Sequence, residues 1–489
     1  MRKLNFLVVL LVVASMLLTA CGGSTPAPTE EPAAPEPTAT EAPKATEEPA
    51  APEPTATKEP EEPAAEEKVT IRWFVGLGAG SEPENIPGQD ALVEEFNNSQ
   101  DKIELVVEYV DYEQAPDVLS TQIAGGNPPD IVGPVGWSGV NPFEGLFLDM
   151  EPYLEEMNFD WSDFADASVD AYRLEEGLVG IPFAVYPSFI YYNRDLFDEA
   201  GLDYPPHEWG ADYADGDPWN VEKLEELAML LTVDANGNDA TSPDFDPENI
   251  VQFGYHTVWS DGLRTDCAAL FGADEVVDED GNAYLSGEWR ECVRWHYSGI
   301  HEKHFIPNQT YETSDLLGND NTFNSGNLAM THSHLWYTCC VEEVPNWDAA
   351  AVPSYNGELT SKLHADTFRI LASTEHPKEA VEVVVWMTGE AAPDLLQIYG
   401  GMPARQSQQD AFFEGLNDQF PQGVDWQVAI DGLNYPDVPN HESNMPNYSK
   451  AFDRLWAFHT LMTSEADLDI EAEMDTLVDE LQAIFDEAE

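Results

Sequence analysis

VTIRWFVG at residues 69–76, LVEEFNNSQDKIELVVEYV at 92–110 and STQIAGGNPPDIV at 120–132 decide the fold. In the first stretch Val69, Ile71, Trp73 and Val75 alternate with Thr70, Arg72 and Phe74, the period of a strand. Leu92, Val93 and Phe96 carry helical spacing, and residues 103–110 form a second strand-like run. Residues 119–124 look helical and are stopped by Gly125-Gly126-Asn127-Pro128-Pro129, after which Asp130-Ile131-Val132 makes a short third strand. Strand, helix, strand, helix, strand predicts a parallel α/β sheet. Ligands of such sheets lie beyond the carboxyl ends of the strands, so the loops at 76–82 and 133–141 are the ones to watch. The glycines of 76–80 lack the Lys-Ser/Thr pair of a nucleotide loop and suit close backbone approach to some other ligand.

Outward from this core the order of motifs becomes specific. GLFLDMEPYL (145–154), GLVGIPFAVYPSFIYYNRDLFDEAGL (177–202), LEELAMLLTVDANG (224–237) and DEDGNAYLSGEWRECVRWH (278–296) follow. NTFNSGNLAMTHSHLWY (321–337), AVPSYNG (351–357), DTFRILAST (366–374), HPKEAVEVVVWMTG (376–389) and GGMPAR (400–405) complete the series. Together they resemble the family 1 extracellular solute-binding proteins, the sugar-binding receptors of ABC importers of the maltodextrin-binding type. The resemblance implies a periplasmic-binding-protein-like α/β fold: two α/β lobes, a hinge, and a ligand cleft between them. Residues 69–185 and 352–435 would form the amino-terminal lobe, 186–351 and 436–489 the carboxy-terminal lobe, with crossovers at 186–192 and 352–357. Two departures from the family pattern, Tyr186-Pro187-Ser188 and the longer insertion at 208–219, fall near the expected cleft.

A sugar presents C–H faces that stack on aromatic rings and hydroxyls that need polar partners. Trp137 follows the third strand in a Gly/Ser-rich loop, and Trp259 and Asp261 follow the strand-like run at 252–258. Trp336 and Tyr337 stand where the family commonly places a stacking tryptophan, and Gly400 and Gly401 resemble its glycine-rich ligand loop. Tyr186, Glu82, Asp366 and Arg405 complete the candidate ligand set, the last three being equally able to serve as caps or ion pairs. Trp73 and Trp386 read as core, and Asp130 as a structural anchor. No catalytic residue is assigned and no cofactor is expected. A calcium reading rests on the oxygens of Asp234, Asn236 and Asn238, a loop that matches an EF-hand only in part; a solvated turn is the alternative.

The amino terminus predicts export. Arg2 and Lys3 precede an apolar run at 4–18, and Leu18-Thr19-Ala20-Cys21 reads as a lipobox. Residues 1–20 are then a signal peptide, and Cys21 the lipidated first residue of a palmitate-bearing lipoprotein on the extracytoplasmic face of the cell membrane. EEPAAPEPTAT occurs at 30–40 and again at 47–57. Residues 21–68 therefore form a disordered, extended tether. The chain carries 93 acidic and 20 basic residues, net −73, and residues 22–68 account for only −9 of this, with 12 Glu and 3 Lys. Such acidity excludes nucleic acid and anionic membrane surfaces as partners. Four cysteines remain beyond Cys21, namely Cys267, Cys292, Cys339 and Cys340; in an exported protein they suggest disulfides, with three pairings open.

The expected protein is a monomeric receptor that hands a carbohydrate to separate permease and ATPase subunits. A secreted carbohydrate-active enzyme and a receptor for a non-sugar solute are the rivals. The chain lacks G-x-S-x-G and H-E-x-x-H, and His301-Glu302-Lys303-His304 has the wrong spacing for a zincin.

Overall fold

The computed structural model describes residues 68–174, 177–258, 263–278, 280–437 and 445–487. The predicted βαβαβ start is present. β1 (Val69–Val75) pairs in parallel with β2 (Ile103–Tyr109) and with β3 (Ile131–Val135). The helix Ile86–Ser99 covers them, starting with Pro87 in its first turn and burying Gln89, Leu92 and Phe96 along one stripe. The helix Ala115–Ala124 supplies the second crossover. Asp130 anchors the start of β3: its carboxylate accepts from the Arg72 backbone N–H at 2.8 Å and from the Thr374 hydroxyl. Trp73 is buried, and Trp386 packs on Phe96 at 4.6 Å between ring centroids.

Beyond a short hairpin, β4 (Arg173–Leu174) and β5 (Gly177–Leu178), comes the element that organises the molecule. β6 (Ile181–Asn193) is 13 residues long and buried along its whole length. Its neighbours are β7 (Val233–Asp234), β8 (Ile250–Thr257), β9 (Leu328–His334), β10 (Trp347–Ala350), β11 (Leu363–Ile370) and β12 (Met402–Pro403). The continuous sheet runs β2-β1-β3-β11-β6-β9-β8-β7, with β10 and β12 also on β6. The first part of β6 pairs antiparallel with β11 and β12; from Ser188 onward it pairs with β9, and from Ile190 with β10 as well. Pro187 withholds a ladder donor where the partners change. Ser188 then holds the seam: its backbone N–H donates to the Lys362 carbonyl at 2.9 Å, and its hydroxyl accepts from the Lys362 N–H at 2.9 Å.

The chain thus crosses back between the sheet halves at residues 361–363. In the expected crossover at 352–357, Ser354 bridges to Asn220 and accepts the Val221 N–H. Residues 424–435, expected with the amino-terminal lobe, also reach the second half: the Asp425 N–H donates to Asp348 at 2.8 Å and the Trp209 indole to the Val428 carbonyl at 2.9 Å.

The second half is built around helices Leu263–Phe271, Gly287–His301, Tyr448–Ser464 and Ile470–Asp486. Ser286 caps the second of these, which buries Trp289, Cys292, Val293, His296, Tyr297 and Ile300 at helical intervals. The cysteines pair as Cys267–Cys292, tying two of these helices, and as the adjacent residues Cys339–Cys340. Among the described residues no helix is long and apolar enough to cross a membrane.

Candidate functional site

Where β6 and β11 run together, the carboxyl ends of β1 and β3 and the residues after β9 converge on a cavity of about 250 Å³. The loop after β1 contributes Leu77, Gly78 and Ala79; the loop after β2 contributes Tyr112; the loop after β3 contributes Gly136, Trp137 and Ser138. Tyr186 on β6, His364, Ala365 and Asp366 on β11, Trp336 after β9 and Tyr399 complete it. The two loops singled out by the strand-end rule therefore both reach the cavity.

Trp336 is the best-placed aromatic. It sits in the turn Leu335–Cys340, half-buried. Its indole N–H donates to His364 Nδ1 at 3.3 Å, and one ring neighbour is His334, 5.6 Å away at 13°. His334 stacks in turn on His364 at 3.8 Å and 9°. Residues of β9 and β11, from the two sheet halves, thus hold one indole in place.

Asp366 and Tyr186 are diagonal neighbours on adjacent strands, with the Tyr186 hydroxyl hydrogen-bonded to the carboxyl group. Burial pushes the Asp366 carboxyl up to about 7 against the pull of that hydrogen bond, and burial raises the Tyr186 phenol well above its ordinary value. No Lys or Arg is among the described residues that line the cavity. Arg369 lies beneath it, its guanidinium 4.7 Å from the Trp137 ring centre.

The other candidates sort as follows. Trp137 lines the cavity yet is only 5% exposed, stacked on Tyr172 at 5.9 Å and on Arg369, so its ring is spent on local packing. Tyr337 is core: it is buried and its hydroxyl donates to Asn321 Oδ1. Glu82 pins its own loop, accepting from the Gly80 N–H and the Asn85 amide. Arg405 lies away from the cavity; it donates to the Thr388 carbonyl at 2.9 Å, stands 3.6 Å from Asp163 and covers Phe164. Gly400 has the left-handed backbone (φ 68°) that ends the helix Ala392–Tyr399. Gly401 shapes the site indirectly, because a Cβ there would stand 2.7 Å from the Tyr186 hydroxyl. Cys21, Trp259 and Asp261 fall outside the described residues.

The loop of Asp234, Asn236 and Asn238 is closed by hydrogen bonds of its own. Burial would raise the Asp234 carboxyl, but hydrogen bonds from Asn238, Asp246 and Asn236 hold it well below the usual carboxylate range. Both its oxygens accept hydrogen bonds, from the backbone N–H groups of Asn236, Asn238 and Asp246 and from the Asn238 side-chain amide. Among the described residues no group of three or more His, Cys, Asp or Glu is arranged to hold a metal.

Tyr112, Ser138, His364 and Tyr399 were not read as site residues from the sequence. Tyr112, 59% exposed just past β2, was open to the same strand-end rule that selected Trp137. His364 precedes Asp366 by two residues, the strand period that places both on one face.

A family model of bacterial extracellular solute-binding proteins matches residues 80–392. The sn-glycerol-3-phosphate-binding periplasmic protein UgpB of Brucella abortus is 31% identical over 150 residues, covering 28% of this chain and 33% of that protein, so the match spans a third of its length. Among solved structures, UspC of M. tuberculosis superposes with a TM-score of 0.66 at 21% identity, over 85% of this chain and 100% of that one. The sugar-binding protein MalE of Xanthomonas citri gives 0.63 at 16% identity over 86% and 98%. An ABC substrate-binding protein of Listeria monocytogenes, solved in complex with cycloalternan, gives 0.62 at 19% over 85% and 98%. At these identities the likenesses establish the α/β periplasmic-binding-protein fold, and the ligand has to be argued from the site.

Proposed function

The chain belongs to the family of bacterial extracellular solute-binding proteins, and from that premise we propose that it captures a carbohydrate in the cavity between two lobes and delivers it, chemically unchanged, to an ABC permease driven by a separate ATPase. The observation that carries this reading is the lining of the cavity. Trp336, Tyr112 and Tyr399 offer ring faces, Asp366, His364 and Tyr186 offer planar polar groups, and no cationic side chain is present among the described lining residues. This set suits a neutral mono- or oligosaccharide. It does not suit sn-glycerol 3-phosphate, the ligand named for UgpB, because a phosphate dianion beside Asp366 would lack any compensating charge.

The two-lobe division is part of the proposal. The lobes meet at β6 and at residues 361–363, where Lys362 Nζ also donates to Thr265 Oγ1 at 3.0 Å. Lipid anchoring through Cys21 is inferred from the lipobox, and the protein is proposed to work as a monomer.

Calorimetric titration with a panel of neutral mono- and oligosaccharides, alongside sn-glycerol 3-phosphate, tests the reading. Saturable binding of a neutral sugar is expected. Tight binding of the phosphate ester with no sugar bound overturns it, as does turnover of a bound sugar. For the anchor, Cys21→Ala is expected to release the protein from membranes and to abolish incorporation of labelled lipid.

A further inference from the structure

A second cavity, about 210 Å³, opens in the other half of the molecule and shares no lining residue with the first. It lies between the end of β8, the helix Gly287–His301 and the helix Tyr448–Ser464. Its volume is far above the roughly 10–15 Å³ that one water requires. His256, His296 and His459 line it with Glu312 and Asp320, and Trp456, 47% exposed, stands beside His459 at 5.4 Å between ring centroids.

The chemistry of this lining is one-sided. Burial, the largest influence on each, lowers His256 and His459 to about 4, so both imidazoles are neutral at neutral pH; His256 Nδ1 is paired with the Thr322 hydroxyl at 3.0 Å. His459 Nδ1 is buried without a hydrogen-bond partner among the described residues. Glu312 is pushed up to about 7, by burial first and then by the adjacent Asp320. Its nearest basic neighbour, His256, is 3.9 Å away and neutral; no Lys or Arg is among the described lining residues. The cavity therefore offers acceptors and two carboxyl groups with no cation to oppose them.

The wall behind it is rigid. Asp266 is fully buried, accepts from the Tyr255 hydroxyl at 2.9 Å, and lies 2.8 Å from His332 Nδ1 and 3.1 Å from His296 Nε2. The Cys267–Cys292 disulfide ties the two helices next to this cluster, one residue after Asp266 and one turn before His296. A site held this way does not have to reorganise to receive a ligand.

We propose that this cavity is a second ligand site, distinct from the sugar cleft, that binds a small organic amine in its ammonium form. The ammonium donates to Glu312 and Asp320 and to the neutral imidazole of His459, while the alkyl stem lies against Trp456, whose ring face also attracts cations. The net charge of −73 raises the local concentration of any such cation.

Putrescine is the probe, titrated calorimetrically into the full chain near pH 7 with glucose as the neutral control. Saturable binding of putrescine is expected, weakened at least about tenfold by Glu312→Gln and unaffected by Trp336→Ala in the cleft. Because an ammonium ion favours ionised Glu312, binding should release protons, seen as heats that differ between buffers of different ionisation enthalpy. The ionisable groups that face Glu312 are Asp320 and His256, with His296, His459 and Asp266 around them. Should Glu312→Gln fail to fold, Trp456→Ala, which alters an exposed side chain, supplies the same readout as a several-fold loss. No saturable putrescine binding, binding unchanged in both variants, or loss of binding in Trp336→Ala overturns the proposal; displacement of putrescine by glucose overturns the assignment to an amine.

Discussion

Trp336 and Trp137 line the same cavity but are built for different work. Trp336 is half-buried and held at its N–H and one ring neighbour, which leaves apolar surface to stack on a sugar. Trp137 is packed between Tyr172 and Arg369. Trp336→Ala is therefore expected to cost about 2–4 kcal/mol of ligand affinity, roughly 30- to 1000-fold, with little change in melting temperature. Trp137→Ala is expected to cost about 3–5 kcal/mol of stability through the cavity it leaves. Calorimetry and thermal melts on both variants separate the two roles; equal affinity in Trp336→Ala and parent would move the ligand out of this cavity. Asp366 sets a pH dependence. Its carboxyl is raised to about 7, so the contribution of Asp366 to stability is fully present below the ordinary aspartate range and is lost as pH rises through 7. A sugar hydroxyl that donates to Asp366 favours the carboxylate, so affinity should instead increase as pH rises through about 7. Asp366→Asn should flatten that profile, and titrations on either side of neutrality decide it.

At the scale of elements, the two disulfides are unequal. Cys267 and Cys292 are both fully buried, on different helices, and the bond closes a loop of sequence separation 25. Cys339 and Cys340 are neighbours, so their bond closes no loop in the unfolded chain. On loop entropy, serine at both Cys267 and Cys292 should lower stability by about 3–4 kcal/mol. Serine at both Cys339 and Cys340 should leave denaturant stability close to the parent and act only on the turn that carries Trp336. Urea unfolding of the two double variants checks this; equal losses would show that loop closure is not what the first bond contributes.

For the whole molecule, β6 is the structural axis. Within the one continuous sheet, the first part of the strand pairs with β11 and the second with β9, and the cavity opens near where the partners change. A ligand that touches both halves binds one relative arrangement best and shifts the population toward it. Saturation with the cognate sugar should therefore reduce the radius of gyration measured by small-angle X-ray scattering. An unchanged scattering profile with full occupancy would mean that the site is preformed and the seam at Ser188 rigid.

The local alternation of residues 69–76, the glycine and proline stop at 125–129 and the order of later motifs were enough to determine the βαβαβ start, its parallel pairing of β1 with β2 and β3, and the loops that reach the cavity; the rest of the sheet is mixed, with every pairing of β6 antiparallel. These are short-range properties: a period of two or of 3.6 is written in neighbouring residues. The same holds for Trp73 as core and Asp130 as anchor. Long-range geometry decided the rest. Glu82 and Arg405 could each have faced a ligand, and the turn of residues 80–85 and Asp163 with Thr388 engage them instead; Trp137 does line the cavity, but the approach of Arg369 and Tyr172 packs its ring. Asp234 reads in sequence either as a calcium ligand or as part of a solvated turn, and the N–H groups that bind its carboxylate are visible only in three dimensions. The disulfide pairing and the three-ring arrangement of His334, His364 and Trp336 depend on segments brought together by β6, and no local pattern encodes which distant partner a side chain will meet.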